Sequence, residues 1–375
     1  MIILKNTLKY SLLTILINST QARIYDIANF SNILQYDDQS KRLSILYTFQ
    51  NNNIDGIHPS SLVQNDLGEV VGVTLLGGSN TCINHDTGEN EGCGTIFRIS
   101  NGQYSILHQF QGSTNSDGQY PFSLVKGAFN NADMIYGISP YGGVNNCGTI
   151  FSVDLFGDYT KLYDFTCQNG LPWGGLSNSY DGDLYGTTTS GQSIYRFDPS
   201  TNQVTTVYNL APELHSTPVN NLEEINGTLY GISSTGSNNN TGFIYRVSTT
   251  GNNFKVLYTF GQQNTQAAAN PSMITSDAVD NIYGVTTAGG QYNFGVIFQY
   301  TISTNSFKIL SNFYGSIPAV NVLKYDFQSA SLLGSLNNKN VNVFLSSATN
   351  FNLNYILNTS DTTYGIGTTS VIGLN

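Results

Sequence analysis

The chain has 375 residues, with 14 Lys and Arg against 24 Asp and Glu, a formal net charge of -10, and charged residues make up only 10% of it. The acidic residues are spread without runs and no basic stripe exists, which excludes nucleic acid as a partner because phosphate binding needs clustered Lys and Arg. Gly, Asn, Ser, Thr and Tyr stand where charges usually do, an extracellular type of surface, and no apolar run approaches the ~18 residues of a membrane span.

Residues 1–22 carry Lys5 and Lys9, then the apolar run Tyr10 to Ile17, then polar residues ending at Ala22. That layout predicts a secretory signal peptide, leaving 23–375 as a single secreted or cell-surface domain. The segment Asn32 to Phe49 predicts two strands, Ile33–Tyr36 and Leu43–Tyr47. From there a repeat organises the chain. Tyr136-Gly137-Ile138-Ser139, Gly142-Gly143 and Cys147-Gly148-Thr149-Ile150-Phe151 have a counterpart in Val71-Gly72-Val73-Thr74, Gly77-Gly78 and Cys93-Gly94-Thr95-Ile96-Phe97. A third copy runs from Tyr283-Gly284 through Gly289-Gly290 to Val296-Ile297-Phe298, and weaker ones start at Tyr185-Gly186 and Tyr230-Gly231.

A second element of the form Leu-Tyr-x-Phe precedes each repeat: Leu46 to Phe49, Leu107 to Phe110, Leu162 to Phe165, Val207 to Leu210, Leu257 to Phe260 and Leu310 to Phe313. A proline comes next in every unit, at Pro59, Pro121, Pro172, Pro218, Pro271 and Pro318, so six of the nine prolines hold one repeat position. Proline at the first residue of a strand breaks no ladder bond. Asp181-Gly182 and Asn226-Gly227 supply tight hairpins inside the units, and beyond residue 22 the apolar pattern is that of strands.

Each unit therefore reads as four strands: one from the proline, one ending at Tyr-Gly, one carrying Thr-Ile-Phe and one carrying Leu-Tyr-x-Phe. Four-stranded units of about 50 residues predict an all-β chain folded as a β-propeller. About 350 mature residues at that length give seven blades. The seventh would be completed by Thr362 to Leu374 joining the N-terminal strands, which leaves no open edge. Six blades result instead if residues 318–336 pair directly with the N-terminal strands.

Four cysteines in an exported chain should pair. Cys82 and Cys93 share one long turn, and Cys147 and Cys167 occupy the two loop types of one blade, so those pairings are expected. A zinc site is the alternative, but the chain has no Cys-x-x-Cys and His58, His85, His108 and His215 are scattered.

Through Tyr-Gly-x-Thr/Ser, the Gly-Gly turn, Gly-Thr-Ile-Phe and Leu-Tyr-x-Phe, over roughly residues 43–313, the chain resembles the GloVer tandem-repeat family of exported proteins. The resemblance implies a propeller-like repeat protein and brings no catalytic residues with it. The third and fourth units depart from the pattern by losing Gly-Gly, and after Pro318 the Tyr-Gly pair does not return until Tyr364-Gly365.

In such a blade the turn between the second and third strands and the connection to the next blade emerge on one face, and function concentrates on loops of this kind. Asp55 and Asp117 hold equivalent Asp-Gly positions there and could ring the channel to hold Ca²⁺, although Asp-Gly also makes a turn unaided. No other cofactor is expected. His58 stands before Pro59 with no nucleophile or carboxylate at motif spacing. Phe122 and Trp173 each follow a unit proline and offer planes for a sugar ring, with core packing as the plainer role. Asn169 joins the amides of Asn51, Asn52, Asn53 and Asn115 on the same loops. No phosphate loop, dinucleotide fingerprint, nucleophile elbow or zinc motif occurs. The expected function is recognition of a carbohydrate or a cell-surface protein without turnover; the alternative is a polysaccharide hydrolase or lyase with its acids scattered over several blades.

Overall fold

The computed structural model describes residues 23–28, 31–37, 42–50, 54–83, 88–127, 134–189, 193–210, 218–236, 240–261, 267–313, 319–326, 331–338, 340–347 and 355–358. The expected signal peptide and the closing segment 362–374 lie outside these. Among the described residues the strands follow the repeat and form seven antiparallel sheets of three or four strands, besides two small two-stranded ladders; the seven are numbered here in chain order with their strands lettered a to d.

Sheet 1 holds Arg23–Ala28, Asn32–Asp37 and Arg42–Thr48. Sheet 2 holds Ile57–Gln64, Val70–Leu76, Thr95–Ser100 and Gln103–Gln109. Sheet 3 holds Ser123–Lys126, Ile135–Ser139, Thr149–Val153 and Tyr159–Asp164. Sheet 4 holds Pro172–Asn178, Leu184–Thr188, Ser193–Asp198 and Gln203–Asn209. Sheet 5 holds Pro218–Ile225, Thr228–Ser233, Phe243–Ser248 and Lys255–Thr259. Sheet 6 holds Ala269–Ser276, Asn281–Ala288, Val296–Thr301 and Ser306–Asn312. Sheet 7 holds Ala319–Asp326, Ser331–Asn338, Asn340–Ser347 and Tyr355–Asn358. From sheet 2 onward each strand a lies against strand a of the following sheet, which is the arrangement of a propeller.

Why glycine follows tyrosine in strand b is clear from the register. Gly72, Gly137, Gly186, Gly231 and Gly284 face Phe97, Phe151, Tyr195, Tyr245 and Phe298 on strand c. Each ring lies across its glycine, and a Cβ there would overlap it. These rings are among the most buried side chains, none more than 2% exposed.

The Leu-Tyr-x-Phe motif encodes a bulge. In sheets 1 to 6 the c–d ladder slips by one residue at the same place, for example between Ile96 and Phe97, leaving Leu46, Leu107, Leu162, Val207, Leu257 and Leu310 as the extra residues. The slip breaks the alternation of a strand, so these side chains join the core. The closing Phe donates its N–H back to the glycine before strand c, as Phe110 does to Gly94, Phe165 to Gly148, Phe260 to Gly242 and Phe313 to Gly295.

Six apolar clusters result, one between each consecutive pair of sheets: Phe49 packs with Phe97, Phe110 with Phe151, Phe165 with Tyr195 and Phe260 with Phe298. The core thus sits between blades. Unit prolines finish these joints, because a Cβ on Gly94, Gly148 or Gly242 would meet Pro121, Pro172 or Pro271 of the next sheet. Pro172 and Pro218 do begin their strands, but Pro59 and Pro271 stand third and are followed by a register slip, a place where a missing N–H is equally harmless.

The ladders bear on three expectations. The N-terminal segment supplies three strands and not two, since Arg23–Ala28 pairs with Asn32–Asp37. Residues 319–326 pair with 331–338, and among the described residues no ladder joins them to the N-terminal strands. The glycine of sheet 7 is Gly334, facing Phe344; only its tyrosine is lost, replaced by Leu333.

Candidate functional site

One face of the disc carries the b–c turns and the interblade connections. In sheets 2, 3 and 6 the b–c turn contains Gly-Gly in the left-handed region, with φ of 82° and 85° at Gly77 and Gly78. The polar residue of Leu-Tyr-x-Phe holds that turn: Gln109 accepts from Ser79 N–H at 2.6 Å, Asp164 from Val144 N–H at 2.9 Å and Asn312 from Gln291 N–H at 2.7 Å. Much of the polarity of this face is therefore spent on building loops.

The same holds for the two carboxylates. Asp55 is 6% exposed and accepts hydrogen bonds from the Tyr47 hydroxyl at 2.9 Å and Gln50 N–H at 2.8 Å. Tyr47 stacks on Tyr104, at 4.4 Å between ring centroids, and the Tyr104 hydroxyl donates to the Asp55 carbonyl. Asp117 is 8% exposed and repeats the arrangement with histidine in place of the first tyrosine. His108 Nε2 lies 2.9 Å from one carboxylate oxygen and the Tyr159 hydroxyl 2.6 Å from the other, with the two rings stacked at 3.6 Å. Gln111 N–H and Gly118 N–H complete the set.

Each carboxylate thus bonds to a stack joining the outer strands of adjacent sheets. Among the described residues no group of three or more His, Cys, Asp or Glu side chains is placed to hold a metal ion. Phenylalanine replaces the second ring in later sheets, where Tyr208 stacks on Phe254 and Tyr258 on Phe307. Where Val204 stands at the position of Tyr104 and Tyr159, Asn169 takes the aspartate's place and is exposed. The signal for these stacks was present in the sequence: Tyr104, Tyr159, Phe254 and Phe307 each precede the motif leucine by three residues.

Burial alone would raise the Asp117 carboxyl, but the hydrogen bonds from His108 and Tyr159 and the His108 charge hold it below the ordinary carboxylate value. Burial and then the neighbouring carboxylate push the Tyr159 phenol up, and burial with Asp55 pushes Tyr47 up to about 12. With its native value depressed, Asp117 adds stability that is full above about pH 4 and drains away as pH falls through the native value. Asp117→Asn should therefore destabilise the chain by about 2 kcal/mol at neutral pH, with the gap to wild type closing as pH falls through the depressed native value. Thermal unfolding of both chains across this range measures it. A gap of constant size would show that the charge plays no part.

The other four expected site residues divide. His58 is exposed, with φ of 57° before Pro59, and Asn169 is exposed in a short 3₁₀ turn. Phe122 and Trp173 do come together, with centroids 5.6 Å apart at 64°. Two tyrosines not foreseen extend the group. Tyr141 stands edge-on to Trp173 at 5.9 Å and Tyr120 edge-on to Tyr141 at 6.0 Å. A two-residue ladder, Gly118–Gln119 with Tyr141–Gly142, draws the connection into sheet 3 against that sheet's own b–c turn, which is what brings these rings to one place.

Both expected disulfides are present. Cys82–Cys93 ties the small hairpin of Thr81–Ile83 and Asn90–Gly92 into the core between sheets 2 and 3. Cys147–Cys167 joins the b–c turn of sheet 3 to the connection leading to sheet 4, with Cα atoms 5.2 Å apart. On the opposite face Asp181, Asp183, Arg196, Asp198 and Ser200 line a groove of about 400 Å³, where Arg196 bonds Asp183 and Asp181 makes the hairpin turn it was expected to make.

Sheets radiating from an axis, cores between them and an aromatic cluster at the mouths of two innermost strands define a β-propeller repeat protein. The chain belongs to the Gloeobacter/Verrucomicrobia repeat family, whose model matches residues 28–193 and 192–338. No curated protein matches it. Among solved structures it is similar to a streptogramin B lyase, with a TM-score of 0.59 and 19% identity over 85% of this chain and 88% of that one. It is also similar to an inactive virginiamycin B lyase from Staphylococcus aureus with quinupristin, with a TM-score of 0.57 and 16% identity over 85% and 94%. A Bacteroides fragilis protein assigned as a 6-phosphogluconolactonase has a TM-score of 0.57 and 14% identity over 90% and 92%. Such likeness is one of fold, and fold does not carry function.

Proposed function

We propose that the chain is an exported recognition module that binds carbohydrate, without turnover, through the aromatic cluster of Phe122, Tyr141 and Trp173 on its loop face. The observation that carries this reading is the cluster itself: three half-buried rings from two successive sheets, set where the innermost strands open onto the face that bears the long loops. Rings of this kind cover the C–H face of a sugar while neighbouring amides and backbone groups bond its hydroxyls. Asp55 and Asp117 on this face bond to rings in interblade stacks, which favours binding over acid–base chemistry. Export is supported by the charged and apolar pattern of residues 1–22 and by two disulfides, and no described helix is long and apolar enough to cross a membrane.

The test is a glycan array probed with the full mature chain, followed by titration of the best ligand. Trp173→Ala and Tyr141→Ala are each expected to weaken binding at least tenfold with a melting temperature within a few degrees of wild type. Undiminished binding by both variants, or cleavage of a polysaccharide by the wild type, would overturn the reading.

A further inference from the structure

The two disulfides differ in what surrounds them. Cys82 and Cys93 are 6% and 0% exposed, inside an interblade core. Cys147 is also buried, but Cys167 lies on a connection whose residues Thr166 to Asn169 are all exposed. That connection is fastened at its two ends, by Phe165 N–H to the Gly148 carbonyl and by Thr189 N–H to the Leu171 carbonyl. Between them its backbone hydrogen bonds are local, Asn169 to Thr166 and Gly170 to Cys167. The covalent tie from Cys167 to Cys147 fixes the middle of this stretch to the b–c turn, beside the Asn145 amide that donates to the Phe165 carbonyl at its start.

The same tie brackets the aromatic cluster. Tyr141 stands six residues before Cys147 in the b–c turn, and Trp173 six residues after Cys167, directly behind Pro172, which packs on Gly148 beside Cys147. We infer that the Cys147–Cys167 bridge positions Trp173 against Tyr141 and makes the binding face redox-sensitive, so that opening this one bond releases the site while the propeller stays folded. This rests on the aromatic cluster being the binding site. A thiol reductant gives two electrons to the S–S bond, two protons complete the Cys147 and Cys167 thiols, and the reductant is left as its own disulfide. An exposed bridge accepts this exchange far faster than a buried one, because the attacking thiolate must reach a sulfur. The consequence for affinity follows from preorganisation: a loop already ordered in its bound form does not lose that freedom on binding.

Trp173 is the only tryptophan in the chain, so its fluorescence reports on the cluster alone. The experiment treats the folded, full mature chain with graded dithiothreitol, alkylates it, and locates the modified cysteines by peptide mass. Expected is a range of reductant in which Cys147 and Cys167 are labelled and Cys82 and Cys93 are not. In that range the Trp173 emission should shift to the red, glycan affinity should fall about tenfold, the melting temperature should stay that of a folded chain, and reoxidation should restore both signals. The variant Cys147→Ser/Cys167→Ser should match the reduced wild type. Free thiols at both positions with emission and affinity unchanged would overturn the inference, as would opening of Cys82–Cys93 first. If the oxidised chain binds no glycan on the array, the recognition reading fails by itself, and the emission still decides whether the bridge positions Trp173.

Discussion

Deleting residues 359–375 is expected to lower the melting temperature of the whole chain by about 10 °C, with one transition and not a frayed shoulder. The reason lies in the position of the N-terminal strands within their sheet. The c–d slip at Ile33 and Leu34 matches the slip at Ile96 and Phe97, so Asn32–Asp37 is strand c, Arg42–Thr48 strand d and Arg23–Ala28 strand b. Arg23–Ala28 also lies against strand a of sheet 2, as strand b of sheet 2 lies against strand a of sheet 3. Among the described residues nothing pairs with its inner edge, and a bare inner strand exposes a row of backbone groups. The closing segment, which lies outside the described residues, needs to supply only one strand. Scanning calorimetry of the full and shortened chains decides it: equal melting temperatures would mean that the ring is closed by something else.

Gly137→Ala is expected to cost about 3 kcal/mol, and Phe151→Leu in the same chain to return most of that loss. In a strand the change to alanine would otherwise be neutral or helpful, since glycine loses more backbone freedom on folding. Here the new methyl group meets the Phe151 ring. In sheet 1 the corresponding register position pairs Asp26 with Leu34, where the other sheets have glycine and an aromatic. Denaturant unfolding of both single variants and the double variant measures the coupling, which should be about 2 kcal/mol. Additive losses would show that the glycine is needed for some other reason.

The glycine rule also shows where reading the sequence stopped short. Tyr-Gly was visible as a recurring pair, but the partner of the glycine lies on another strand, and pairing across strands leaves no trace at fixed sequence spacing. After Pro318 the Tyr-Gly pair returns only at Tyr364-Gly365, whereas the glycine of sheet 7 is Gly334, paired in register with Phe344. The surroundings of Asp55 and Asp117 were hidden for a similar reason. The Asp-Gly turn is local and was legible, whereas the hydroxyls that bury the carboxylates come from residues 42 positions away for Tyr159 and 8 for Tyr47. Trp173 and Phe122 were picked out singly from their position after the unit proline; that they meet, and that Tyr141 and Tyr120 meet them, follows from a ladder between a connection and a turn.

What the sequence by itself determined is everything carried by spacing and local chemistry: strands of period two, hairpins at Asp-Gly and Asn-Gly, the Gly-Gly turns, four strands to a unit, and two short-range disulfides. These depend on a few neighbouring residues, and repetition along the chain amplified each weak signal until it could be read. Only the tertiary structure decided which side chains cross from one sheet to the next, because the cores of this fold lie between blades and none lies inside a single repeat. The third N-terminal strand, the burial of two carboxylates in ring stacks and the assembly of the aromatic cluster all belong to that interblade space, where contacts are set by the rotation of one sheet against another and not by order along the chain.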